Sequence, residues 1–148
     1  MQQRGLRNIM SGEFIPPAAQ SPRSATILIV EDNADIVGFL QQLIEEETPY
    51  QTAVISNGLQ ALEKAPQIHP CLMLLDYRLP GINGIELYDL LQEIEETSGV
   101  PAIMMSATLP IAELQRRGIY QLRKPMDIGN VIRVITHALV TAEENRLH

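Results

Sequence analysis

The chain has 148 residues, 45% of them hydrophobic, with no tryptophan and a formal net charge of −7, which fits one domain with a substantial core and leaves too little chain for two. The acidic balance argues against nucleic acid as the main partner, because neutralising phosphates needs a basic face. No apolar run nears the roughly 18 residues of a membrane span, residues 1–24 lack the apolar stretch of a secretory signal, and the lone Cys71 cannot form an internal disulfide; the expectation is a cytoplasmic protein with a buried thiol.

Residues 1–24 carry Pro16, Pro17 and Pro22 among scattered polar residues without periodicity, and read as a tail or linker. From Thr26 the chain alternates. A strand at 26–30 precedes a helix at 34–46, where Ile36, Val37, Leu40, Leu43 and Ile44 form an apolar stripe. Asp35 suits the first turn of that helix, and Thr48-Pro49 stops it. A strand at 51–55 leads to Asn57-Gly58 and a short helix through Ala65, ended by Pro66. The third strand, 71–75, is followed by a Pro-Gly-rich loop and a helix at 84–96. A fourth strand spans 101–105, a short helical stretch 110–117 and a fifth strand 119–122. Asp127 starts a last helix reaching 142, and residues 143–148 read as a C-terminal tail. The order predicts a doubly wound (βα)5 fold at residues 25–142, with helices on both faces of a five-stranded parallel sheet. The glutamates at 45–47, 93, 95 and 96 read as solvated helix ends, and His69 has no second ligand at metal spacing.

Polar residues close the apolar strands in a pattern that bears on function. Glu31 and Asp32 follow the first strand, Asp76 the third, Ser106 the fourth and Lys124 the fifth. All emerge at the carboxyl edge of a parallel sheet, where open α/β folds bind ligands. Clustered carboxylates raise one another's pKa, a conflict that a hard divalent cation such as Mg²⁺ removes while taking phosphate oxygens as further ligands. Asp76, on the central strand, is then the natural nucleophile toward a phosphoryl group, and Glu31 and Asp32 would hold the metal. Lys124 and Ser106 supply an ammonium and a hydroxyl for the phosphoryl oxygens. Lys124 precedes Pro125, and a cis bond there, of modest cost for an X-Pro pair, would turn the lysine inward.

The runs Ile27-Leu-Ile-Val-Glu31-Asp32-Asn33, Leu74-Leu-Asp76-Tyr-Arg-Leu-Pro80-Gly-Ile-Asn-Gly84, Met105-Ser106-Ala107 and Leu122-Arg-Lys124-Pro125 resemble those of two-component response regulator receiver domains. The separations from Asp32 to Asp76 (44) and from Asp76 to Ser106 (30) suit that family's register. The resemblance implies a flavodoxin-like fold and a stand-alone, chemotaxis-regulator-like receiver, with any output module on another chain. It makes Asp76 the phosphoacceptor, Glu31 and Asp32 the acidic metal pair, Arg78 the donor of a backbone carbonyl to Mg²⁺, Ser106 the switch hydroxyl and Lys124 the phosphate-binding cation. The partners it implies are a sensor histidine kinase or phosphotransfer protein and a downstream protein target, and it also admits a homodimer. Such a protein catalyses its own aspartyl phosphorylation and dephosphorylation without being a turnover enzyme.

Two departures stand out. Ser106 and Lys124 are 18 residues apart, about four fewer than the family's register, so roughly one helical turn is missing from the fourth helix region. The position three before the lysine, where the family carries a rotating Tyr or Phe, holds Gln121. Tyr120, one place off, falls on the opposite strand face. Either a bulge restores Tyr120 to that position or the aromatic half of the switch is lost, and loss is the reading preferred here. Both departures favour an alternative, a receiver-like adaptor that binds its partner independently of phosphorylation, against which the complete acidic set speaks. A phosphatase using an aspartyl phosphate would want an acid where Arg78 stands, and a nucleotide-binding domain would want a glycine-rich loop after the first strand.

Overall fold

The computed structural model describes residues 25–147; the expected tail at 1–24 lies outside them. Five strands form one parallel sheet in the order β2-β1-β3-β4-β5. They are β1 (Thr26–Val30), β2 (Gln51–Ile55), β3 (Leu72–Asp76), β4 (Ala102–Ser106) and β5 (Tyr120–Arg123), and they alternate with α1 (Ala34–Glu47), α2 (Gly58–Ile68), α3 (Gly84–Gln92), α4 (Ile111–Arg117) and α5 (Ile128–Leu147). This is the doubly wound (βα)5 arrangement the sequence predicts.

Period-2 side-chain alternation divides the core in two. Ile27, Ile29, Leu72, Leu74, Ile103, Met105 and Leu122 point to one face and pack with Leu40, Ile44, Val131 and Ile135 of α1 and α5. Leu28, Val30, Met73, Leu75, Ala102 and Met104 point to the other and pack with Ala61, Ala65, Leu87, Leu91 and Leu114 of α2, α3 and α4. The strands that read as unbroken apolar runs are those buried on both faces, whereas the edge strand β2 is largely exposed or half-buried.

Several boundaries differ from expectation. β3, β4 and β5 each sit one residue later, because Asp76 and Ser106 are themselves paired in the sheet, opposite Met105 and Arg123. Asp76 and Ser106 therefore close their strands from inside. α2 does not stop at Ala65: Pro66 lies within it, and the helix continues to Ile68 before His69 caps it in the left-handed conformation (φ 55°), its N–H donating to the Ala65 carbonyl. Pro66 forfeits one helical hydrogen bond, and the packing of Ala65 and Ile68 against the core accompanies the helix past it. α3 ends at Gln92 instead of 96, where the buried Thr97 hydroxyl donates to the Leu91 carbonyl at 2.6 Å and closes the helix end. Asp127 caps α5, its carboxylate accepting from Asn130 N–H at 2.8 Å, and α5 runs to Leu147, past the expected end at 142. α4 has only seven residues, consistent with the short interval between Ser106 and Lys124. Among the described residues, no helix is long and apolar enough to cross a membrane.

Candidate functional site

The carboxyl edge of the sheet brings the polar strand ends together because β1, β3, β4 and β5 pair in parallel without interruption. Glu31 follows β1 and is 1% exposed, Asp76 closes β3 at 4%, and Asp32 is open to solvent. One carboxylate oxygen from each of the three lies within 4.8 Å of the others. Lys124 reaches back from the end of β5, its Nζ 3.0 Å from Glu31 Oε1 and 3.4 Å from Asp76 Oδ1. The Lys124–Pro125 peptide is cis.

Backbone donors hold the carboxylates in place. Asn33 N–H donates to Glu31 Oε2 at 3.2 Å, and Arg78 N–H donates to Asp76 Oδ1 at the same distance. Asn33 also caps α1 through Ile36 N–H, so one short turn fixes both the helix start and the Glu31 carboxylate. Burial raises the Glu31 pKa above the usual carboxylate value; the Lys124 ammonium opposes that shift, and the neighbouring Asp76 charge adds to it. Gly84, at the start of α3, packs so closely that a Cβ there would stand 2.7 Å from the Asp76 carbonyl oxygen. Only glycine lets α3 approach the end of β3 so tightly.

Ser106 stands beside Asp76 on the neighbouring strand. Its hydroxyl donates to the Thr108 carbonyl at 2.9 Å and accepts from Thr108 N–H at 3.1 Å, while its carbonyl accepts from Lys124 N–H at 2.9 Å. The β4–β5 ladder pairs Ile103 with Tyr120, Met104 with Gln121, Met105 with Leu122 and Ser106 with Arg123, so no bulge intervenes. Tyr120 accordingly lies on the α1/α5 face, its ring edge-on to His137 with centroids 5.5 Å apart. Gln121 points to the α4 face, which is the lost-aromatic arrangement.

The donor set suits a hard divalent cation: three carboxylates, two of them buried, with one ammonium for at least two negative charges. The same edge sets the Asp76 carboxylate beside the Lys124 ammonium, with the Ser106 hydroxyl on the neighbouring strand. A cavity of about 560 Å³ also opens at the opposite, amino edge, between Cys71, Pro101, Tyr120 and the far end of α5. Sequence reasoning missed the Lys124–Glu31 contact, which spans 93 residues. It also missed Arg123, whose guanidinium donates to the Ala107 carbonyl at 2.9 Å; no sequence signal identifies a contact that depends on a loop's path.

A five-stranded parallel α/β domain with an acidic pocket at its carboxyl edge is the architecture of a receiver. The model of the response regulator receiver domain family matches residues 27–136, and the chain belongs to that family. It is 41% identical over 81 residues to the DNA-binding response regulator MtrA of Mycobacterium tuberculosis, covering 55% of this chain and 34% of that protein. It is 37% identical over 82 residues to the polar-differentiation response regulator DivK of Brucella ovis, covering 55% and 66%. The matched region thus spans about a third of the length of the MtrA relatives. Among solved structures, a CheY-like receiver domain protein from Methanospirillum hungatei superposes with a TM-score of 0.74 at 23% identity, covering 83% of this chain and 99% of that one. The Vibrio cholerae chemotaxis protein CheY4 gives 0.72 at 21%, covering 79% and 100%. These likenesses agree with the fold described above.

Proposed function

We propose that this receiver is phosphorylated on Asp76 by a histidine kinase or phosphotransfer protein and signals through phosphorylation-dependent protein binding. The observation that carries the reading is the meeting of the Glu31, Asp32 and Asp76 carboxylates within 4.8 Å, with Lys124 Nζ between two of them. Glu31, Asp32, Asp76 and the Arg78 backbone carbonyl would hold Mg²⁺. Bound there, the cation supplies positive charge that offsets the carboxylates and draws phosphoryl oxygens to the site. Asp76 attacks phosphorus through a carboxylate oxygen; the bond from phosphorus to the donor's imidazole nitrogen breaks, and the imidazole leaves with that electron pair. Lys124 then pairs with a phosphoryl oxygen, and Ser106 turns its hydroxyl toward another. Water attack on phosphorus reverses the modification, regenerating the carboxylate and releasing inorganic phosphate. An adaptor that ignores phosphorylation finds support in Gln121 and the seven-residue α4, yet it leaves the acidic cluster, with its buried Glu31 and Asp76, without a purpose.

Incubation with Mg²⁺ and acetyl phosphate, followed by intact mass measurement, tests the reading. Wild type should gain one phosphoryl group and Asp76→Asn none. A label that persists in the variant, or maps elsewhere, would reject it.

A further inference from the structure

The peptide unit joining Ala107 to Thr108 is gripped at both ends. Its N–H donates to Ser106 Oγ at 3.1 Å, and its carbonyl accepts from Arg123 Nη1 at 2.9 Å. The Ser106 hydroxyl is fully engaged, because it also donates its one proton to the Thr108 carbonyl. Among the described residues, 107–109 make no backbone-to-backbone hydrogen bond, and Leu109 alone of the three packs against the core. Pro110, at the start of α4, contributes no side-chain cap. The β4–α4 loop is therefore held by Ser106, Arg123 and the Leu109 side chain.

The sheet order sets the directions of these holds. β4 lies between β3, which carries Asp76, and β5, which carries Arg123. A phosphoryl group on Asp76 would draw the Ser106 hydroxyl toward β3, whereas Arg123 holds the adjoining peptide from the β5 side. Donating to that phosphoryl group requires Ser106 to give up the Thr108 carbonyl, after which Arg123 is the remaining hydrogen-bond donor on the loop.

We infer that Arg123 is a positioning residue that holds the β4–α4 loop in its resting place and so opposes the exchange of Ser106 from the Thr108 backbone to a phosphoryl oxygen. The inference rests on the phosphoacceptor reading of Asp76. It also gives β5 a part in the switch that needs no aromatic at position 121. Arg123 is exposed, so water competes for its hydrogen bond and the restraint is modest.

Three variants separate the hydrogen bond from the charge: Arg123→Met removes both, Arg123→Gln keeps a donor without charge, and Arg123→Lys keeps both on a shorter stem. In metal-free, unphosphorylated protein, hydrogen exchange at the Thr108 amide should quicken about three- to tenfold in Arg123→Met and stay near wild type in Arg123→Lys. With Mg²⁺ and beryllium fluoride as the phosphoryl mimic, Arg123→Met should bind the mimic about three- to tenfold more tightly than wild type, with Arg123→Gln between them. If Arg123 acts only as a cation drawing anions to the site, Met and Gln weaken binding alike and Lys does not, which overturns the inference. Unchanged Thr108 exchange in Arg123→Met overturns it as well. Failure of the wild type to bind the mimic rejects the phosphoacceptor reading and this inference together, whereas wild-type binding without a gain in Arg123→Met rejects the inference alone.

Discussion

Gly84→Ala tests how tightly the site depends on the approach of α3. A Cβ built at this position stands 2.5 Å from Met104 Sδ, 2.7 Å from the Asp76 carbonyl oxygen and 3.0 Å from Tyr77 Cα. The thioether can rotate away, but the two backbone atoms cannot. Restoring an ordinary carbon–oxygen contact means withdrawing α3 by about half an ångström, which stretches the bond from Gly84 N–H to the Tyr77 carbonyl beyond useful hydrogen-bond range. That bond is now 2.9 Å long. Overpacking costs about 1–3 kcal/mol and the weakened hydrogen bond about 1 kcal/mol more, so a loss of about 3 kcal/mol is expected. For a domain of this size that lowers Tm by roughly 10 °C or more, readable by circular dichroism. Adding Gly84→Ala to a Met104→Ala background should still cost at least about half as much, because the backbone clash persists. If the glycine substitution costs nothing in that background, the sulfur was the only obstacle and the backbone at Asp76 and Tyr77 does not limit the approach of α3. Acetyl phosphate labelling of Gly84→Ala should also slow, since the withdrawn helix adjoins Asp76.

Asp32→Ala should weaken Mg²⁺ binding at least tenfold, about 1.4 kcal/mol, and unchanged affinity in a titration would make the acidic pair structural. Tyr120→Ala should cost about 1–3 kcal/mol of stability through lost packing against α5 and the His137 ring, yet leave phosphorylation-dependent exchange at 106–110 as in wild type; a coupled loss there would return Tyr120 to the switch. Burial pushes the Cys71 thiol up to about 11, so the reactive thiolate is scarce at pH 8 and grows as pH rises. Alkylation should run about a hundredfold slower than for a free thiol, with a rate still climbing at pH 10, and a plateau below pH 9 would contradict the burial argument.

The sheet was legible because β1, β3 and β4 are buried on both faces, and such strands read as short unbroken apolar runs. Their closing polar residues were legible for the same reason, since Asp76 and Ser106 interrupt apolar sequence where nothing but the edge of the sheet accounts for them. The one-residue offsets of β3, β4 and β5 arise because pairing extends to those polar residues, which hydrophobicity alone does not register. Helix ends were harder. Pro66 reads as a stop, but the packing of Ile68 outweighs it, and the early end of α3 depends on Thr97 folding back onto the Leu91 carbonyl. The separation of Tyr120 from Gln121 was readable because a strand alternates strictly, and it stood open only while a bulge was conceivable; the continuous ladder removes that choice. Contacts such as Lys124 with Glu31 and Arg123 with Ala107 follow from the arrangement of loops and strand ends in space, which no local pattern records.

The short α4 constrains how a change at the site can travel. At its carboxyl end, Arg117 pairs with both Asp89 carboxylate oxygens, at 2.8 and 2.9 Å, and also with Glu113, tying α4 to α3. The planar guanidinium makes this a directional clamp as well as a charge pair. Tyr88 adds a hydroxyl to the Arg117 carbonyl, and Gly118 closes the helix in the left-handed conformation. At the amino end, Pro110 provides no side-chain cap, and the preceding loop is held chiefly by Ser106 and Arg123. Leu114 at the middle of the helix is fully buried and Leu109 packs against the core just before it, so the seven residues are anchored at their centre as well as at Arg117. Under the proposed phosphorylation, a displacement of 107–110 would therefore bear first on the turn that carries the exposed Ile111, whereas Tyr120 and His137 lie on the far side of the sheet.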